Sequence, residues 1–158
     1  MVGALQDAAI IQNRLIMNPR EFLKLASELV VGGNPARVRS AISRAYYAAH
    51  HVGFDMLTQM GFRIDKGPGR HQDVCMRLNN SNDTEVTKAG SQLVDLQSRR
   101  NQADYRLDNT DVEDQKTAQA LVEQARRIIQ ILDGCCGGPK TAEIKKAVQE
   151  WERKVGKM

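Results

Sequence analysis

Aromatic residues are scarce, at 4% of a 158-residue chain. A sheet sandwich fills its core with aromatic and β-branched side chains, so this shortage argues against one. Ala, Leu, Val, Ile and Met are plentiful within the 41% hydrophobic fraction and suit helix-on-helix contact, which predicts an all-α fold. Cysteine is rarer still. Cys75, Cys135 and Cys136 are odd in number, with no Cys-x-x-Cys pair and no His–Cys cluster at zinc spacing. Neither a disulfide framework nor a metal site nor a cofactor is expected, and a reducing, cytoplasmic setting is. No apolar run reaches the ~18 residues that cross a bilayer, and the residues after Met1 lack a basic stretch leading into an apolar one. No membrane partner is expected. The net charge of +4 favours a polyanionic ligand without demanding one.

What is present is helical periodicity divided by Asn-Pro, Gly-Gly and Gly-Pro steps. Ala4 to Ile16 reads as a short helix ended by Asn18-Pro19. Asn18 can cap the next helix, with Pro19 in its first turn and Phe22, Leu25, Ala26 and Leu29 on one stripe, until Gly32-Gly33. Asn34-Pro35 repeats the device and opens the longest helix, carrying Val38, Ala41, Ile42, Ala45, Ala49, Val52, Met56 and Met60 towards Gly61. Lys66-Gly67-Pro68-Gly69 predicts a turn, then a brief helix with Val74 and Leu78 and a loop over Asn79–Asp83. From Thr84, the spacing of Val86, Ala89, Leu93, Leu96 and Ala103 predicts a helix weakened by Gly90 and leaving near Asp108-Asn109. Thr110 and Glu113 match a capping box for a helix carrying Ala118, Leu121, Val122, Ala125, Ile128, Ile129 and Leu132.

Two units result: a helical domain over 1–133, and 134–158 as a Gly/Pro hinge with an amphipathic helix bearing Ile144, Val148, Trp151 and Val155. That last helix suits docking on its own bundle or on a partner. Short connections predict an up-and-down helical bundle, with this extra C-terminal helix beside it.

The segment Ser40-Ala41-Ile42-Ser43-Arg44-Ala45-Tyr46-Tyr47-Ala48-Ala49-His50-His51 resembles the second-helix signature of HEPN proteins. Further along, Arg100-Asn101-Gln102-Ala103-Asp104-Tyr105 resembles the Arg…Ala-Asp-Tyr variant of that family's late-helix motif, and His71 falls near a histidine often found between the two. The resemblance covers roughly Pro19 to Leu132. It implies an up-and-down bundle of four to five helices that commonly forms a homodimer, with the late motifs facing each other across a cleft. Many members are metal-independent RNases, and several are toxins paired with a nucleotidyltransferase antitoxin that can modify a tyrosine near the motif with AMP.

In such an RNase a guanidinium offsets charge growing on phosphate, an Asn orients it, and a histidine exchanges protons with the ribose. The resemblance gives the first two parts to Arg100 and Asn101. Tyr105 stands where the pattern has histidine, and a phenol is a weak base at neutral pH, although it donates hydrogen bonds readily. His51 and His71 are the available substitutes. Arg44, Tyr47, His51, His71 and Asp104 complete the expected RNA- or nucleotide-binding set. The alternative is a catalytically silent HEPN module that binds a nucleotide or a partner nucleotidyltransferase.

Plainer readings compete at each position. Arg100 and Asp104, four apart, make an ordinary helix-surface ion pair. One of Tyr46 and Tyr47 belongs in the core. Arg37, Arg39 and Arg44 form either a phosphate-binding stripe or a solvated helix face. His50 and His51, with only Asp55 at helical spacing, do not make a metal site.

Overall fold

The computed structural model describes residues 16–157, which form six α-helices and one 3-10 turn, with no strand among them. The helix expected from Ala4 lies outside the described residues. The elements are α1 (Arg20–Val31), α2 (Pro35–Gln59), α3 (Arg70–Asn79), α4 (Thr84–Tyr105), the 3-10 turn (Thr110–Glu113), α5 (Gln115–Asp133) and α6 (Pro139–Lys154). The fold is an all-α bundle. None of the described helices is long and apolar enough to cross a membrane.

Helix α2 is the centre, in contact with α1, α3, α4, α5 and the 3-10 turn. Its sequence explains why so many neighbours fit. Ala41, Ala45, Ala48 and Ala49 are fully buried, and small side chains let helix backbones approach closely. At Gly53 an added Cβ would lie 3.2 Å from Val74 and 3.6 Å from Leu78 and Leu132, so α2, α3 and α5 meet there. Larger side chains, among them Ile42, Leu57, Leu78, Leu93, Leu96, Ile128 and Leu132, fill the space between helices.

Helix starts follow local chemistry. The Asn34 side chain accepts a hydrogen bond from the Arg37 N–H at 3.0 Å, with Pro35 in the first turn. Asn18 accepts from the Arg20 N–H at 3.0 Å, and Asp83 from the Val86 N–H at 2.9 Å. The expected capping box at Thr110 and Glu113 is not formed. Those residues are a 3-10 turn of their own, and α5 begins later, with Asp114 accepting from the Thr117 N–H at 2.8 Å and from its hydroxyl at 2.7 Å. The reason is Arg39. The Glu113 carboxylate turns inward to accept from Arg39 Nε and Nη2 at 2.8 and 2.7 Å, while Val112 plugs the core.

Arg39 fits neither reading of the three arginines, as a phosphate-binding stripe or as a solvated helix face. It is buried, and besides Glu113 it donates to backbone carbonyls in the last turn of α4 and in the loop after it: Ala103 at 3.0 Å, Arg106 at 3.1 Å and Asn109 at 2.7 Å. Arg37 reaches back to the Glu28 carbonyl at 3.2 Å. Of the three arginines only Arg44 is left near the candidate site.

Beyond Gly137 and Gly138, whose φ angles of 82° and 103° favour glycine, α6 lays Ile144 and Val148 fully against the bundle. Arg77 of α3 donates from Nε to Glu152 at 2.9 Å, both side chains being buried, and Lys157 pairs with Asp73 at 2.7 Å. The final helix thus docks on its own chain, along α3. Val155, expected on its apolar side, is 48% exposed.

A candidate anion site where three helices meet

Helical spacing puts Arg44, Tyr47 and His51 of α2 at i, i+3 and i+7, one stripe on one face. The first turn of α3 brings Arg70 and His71 to that stripe, and the last turns of α4 bring Arg100, Asn101, Asp104 and Tyr105. Every residue expected for the site is therefore found in one region.

Arg100 is its centre. Its guanidinium lies 4.9 Å from the centroid of the Tyr47 ring, 5.9 Å from Tyr46 and 5.5 Å from Tyr105. Nη1 donates to Asn101 Oδ1 at 2.9 Å and Nη2 donates to the Tyr47 hydroxyl. Nε is 3.0 Å from Asp104 Oδ2, close enough for an ion pair but off the axis of a hydrogen bond. The expected Arg100–Asp104 pair is thus formed, yet not on a solvated face, because the Arg100 side chain is 13% exposed among aromatic rings. Asp104 is held from the other side by the Ser43 hydroxyl, which donates to Oδ2 at 3.0 Å.

A second guanidinium, from Arg44, lies 5.1 Å from the Tyr47 ring and 5.1 Å from Phe22 of α1. The third, from Arg70, stacks on Phe54 at 4.2 Å and donates from Nη2 to His51 Nδ1 at 3.1 Å. Among the described residues neither Arg44 nor Arg70 has a carboxylate within ion-pair distance, so Asp104 is the acidic partner of the group.

The three histidines sit between these charges. His50 and His71 have ring centroids 4.4 Å apart, His50 and His51 are 5.4 Å apart, and Tyr46 lies against His50 at 5.8 Å. Tyr46 is fully buried, its hydroxyl 2.5 Å from His71 Nδ1, while Tyr47 reaches the rim. His50 is 1% exposed and both its ring nitrogens lack a hydrogen-bond partner among the described residues.

Burial and the guanidiniums set the protonation states. Burial, reinforced by His71, His51 and Arg70, drives the His50 imidazole down to about 3. Burial and then Arg70 lower His51, against a smaller upward pull from Asp55. Burial, followed by Arg100, Arg70 and His51, lowers His71, and burial raises the Tyr46 phenol. All three imidazoles are therefore neutral at neutral pH, and the positive charge belongs to the arginines.

Chemically, this gathers three guanidiniums and two part-exposed neutral imidazoles around one ion-paired carboxylate, a positive excess that suits phosphate. Among the described residues no group of three or more His, Cys, Asp and Glu side chains is arranged to hold a metal ion. Arg70 and Ser43 join the site without having been singled out as ligands in the sequence. For Arg70 the signal was its place beside His71 directly after the Gly67-Pro68-Gly69 turn. Tyr105, whose ring is 5.5 Å from the Arg100 guanidinium, is 70% exposed, and Leu107, two residues on, is 74% exposed. Comparison of the chain with protein-family models, characterised proteins and solved structures finds no match.

Proposed function

We propose that this protein is a HEPN-type RNA-binding module that grips the RNA backbone through phosphate. One observation carries the reading: Arg44 and Arg100 each sit about 5 Å from the Tyr47 ring, Arg70 is bound to the neighbouring His51, and Asp104 is the acidic partner. A surplus of guanidinium charge beside exposed aromatic surface matches a single-stranded polyanion, with Tyr105 available for stacking on a base.

The test is fluorescence anisotropy with single-stranded RNA in chelator over a range of salt. Arg100→Ala is expected to weaken binding to all sequences alike and to lower the slope of log affinity against log salt by about 0.7, as for one lost contact to single-stranded phosphate. Unchanged binding in Arg100→Ala, Arg44→Gln and Arg70→Gln would sink the reading.

RNA cleavage is the second reading, favoured by Arg100 with Asn101 bound to it at 2.9 Å, the guanidinium and orienting amide that such a reaction uses. Electrophoresis of the same RNA after incubation with wild type and Arg100→Ala tests it, and an intact substrate in both ends it. The resemblance adds two proposed partners, a second copy of the chain and a nucleotidyltransferase antitoxin. The exposed Tyr105 and Leu107 beside the site support the first, and sedimentation of wild type against Leu107→Glu tests it.

A further inference from the structure

We infer that His51 and His71 serve this site as fixed hydrogen-bond donors, each presenting its Nε2–H to a phosphate oxygen. The inference rests on the phosphate reading above and follows from the partners of the two Nδ1 atoms.

A neutral imidazole has one N–H and one lone pair, and whatever occupies one nitrogen decides the state of the other. Arginine has donors and no acceptor. Because Arg70 Nη2 lies 3.1 Å from His51 Nδ1, that nitrogen carries the lone pair and the ring proton is on Nε2. His71 reaches the same state by a different route. The Tyr46 hydroxyl is fully buried and His71 Nδ1, at 2.5 Å, is its one hydrogen-bond partner among the described residues. A buried O–H must donate or lose the energy of a hydrogen bond, so it donates to Nδ1 and His71 also holds its proton on Nε2. Burial keeps that phenol protonated, in agreement with its role as donor.

The two Nε2 atoms have no partner among the described residues, and neither is buried away from solvent, in contrast with both nitrogens of His50. Both rings lie against Tyr47, with centroids 6.0 and 6.2 Å from it; the Arg70 charge acts on both, and the Arg100 charge on His71. His71 lies in the first turn of α3, which no side chain caps and whose one carboxylate, Asp73, is paired with Lys157. Neither imidazole offers a lone pair at the atom that faces solvent. The pair orients an anion and does not take a proton from a bound ribose.

The experiment uses the full chain labelled with 15N-histidine at pH 7.5, with single His→Gln variants to assign the rings. Two-bond 15N–1H spectra are expected to show His51 and His71 as Nε2–H tautomers, and inorganic phosphate is expected to shift both Nε2–H signals. Because glutamine can place an N–H near the same point, His71→Gln should retain phosphate affinity within about threefold, whereas His71→Leu should lose roughly tenfold. An Nδ1–H tautomer at either ring overturns the inference while leaving RNA binding in place. Correct tautomers with no response to phosphate overturn it together with the phosphate reading. Equal losses in the Gln and Leu variants, in chains that fold as wild type does, also overturn it.

Discussion

Arg39 and Glu113 meet through two hydrogen bonds to a single carboxylate oxygen, and the rest of the Arg39 guanidinium collects the carbonyl groups that end α4. The last four carbonyls of a helix have no partner within it. Here an arginine of the central helix supplies one, so the segment carrying Arg100 to Tyr105 is tied to α2.

Arg39→Met is therefore expected to lower stability by about 3 kcal/mol, since it strands Glu113 and the carbonyls together. Urea unfolding measures the loss. Hydrogen exchange should speed up most over residues 102–109, and a loss below about 1 kcal/mol would show that water replaces the guanidinium without strain.

Gly90 offers a contrary test of helix propensity. Alanine is worth ~1 kcal/mol more than glycine in a helix interior. At Gly90 an added Cβ would lie 2.5 Å from Asn79 Oδ1 and 2.9 Å from Leu78 Cβ, where α3 crosses α4. Gly90→Ala should accordingly destabilise the chain by about 1–2 kcal/mol in thermal unfolding. A gain in Tm would mean that α3 can move aside.

Acid should weaken the fold through His50. In the folded chain its imidazole titrates at about 3, against an ordinary 6.5, so between those values the unfolded chain binds a proton that the folded chain refuses. Stability is complete above about pH 6.5 and falls as pH drops from there towards about 3, by roughly 1.4 kcal/mol per pH unit for one proton. His51 and His71, also lowered, act in the same direction. His50→Leu should make the loss between pH 6.5 and 5 shallower by about one proton, read from urea midpoints across that range. An unaltered slope would mean that another group carries the effect.

The buried Arg77–Glu152 pair should show strong non-additivity. Glu152→Leu alone is expected to cost about 3 kcal/mol by leaving Arg77 short of its main partner, and Arg77→Met with Glu152→Leu should recover most of that loss. A double-mutant cycle by chemical unfolding measures it. Additive losses would show that the two side chains do not act as a pair.

Helix boundaries in this chain are written locally, and they were legible for that reason. Asn34 with Pro35, and Gly32 with Gly33, act within one turn of themselves, and Thr84 to Tyr105 is helical over the expected span. The capping box at Thr110 failed because its glutamate is claimed by Arg39, 74 positions away, and no local pattern records that competitor. Arg39 itself was misread for a related reason. Periodicity assigns polar residues of a helix to solvent, but α2 is central, and its polar positions meet other elements.

Within the site, Arg44, Tyr47 and His51 could be placed together because helix spacing suffices. Arg70 could not, since its approach depends on how α3 crosses α2. Gly90, read in the sequence as a weak point, marks instead the close contact of two helices.

The short helix α3 joins the site to the end of the chain. One end presents Arg70 and His71 to the site, while its middle is pinned by Glu152 and Lys157, residues more than seventy positions later in the chain. Whatever effect a ligand at Arg70 and His71 has on the seating of α6, the seating of α6 has the same effect on the affinity for that ligand, because linkage is reciprocal. Removing α6 and measuring phosphate affinity reads that effect from either end.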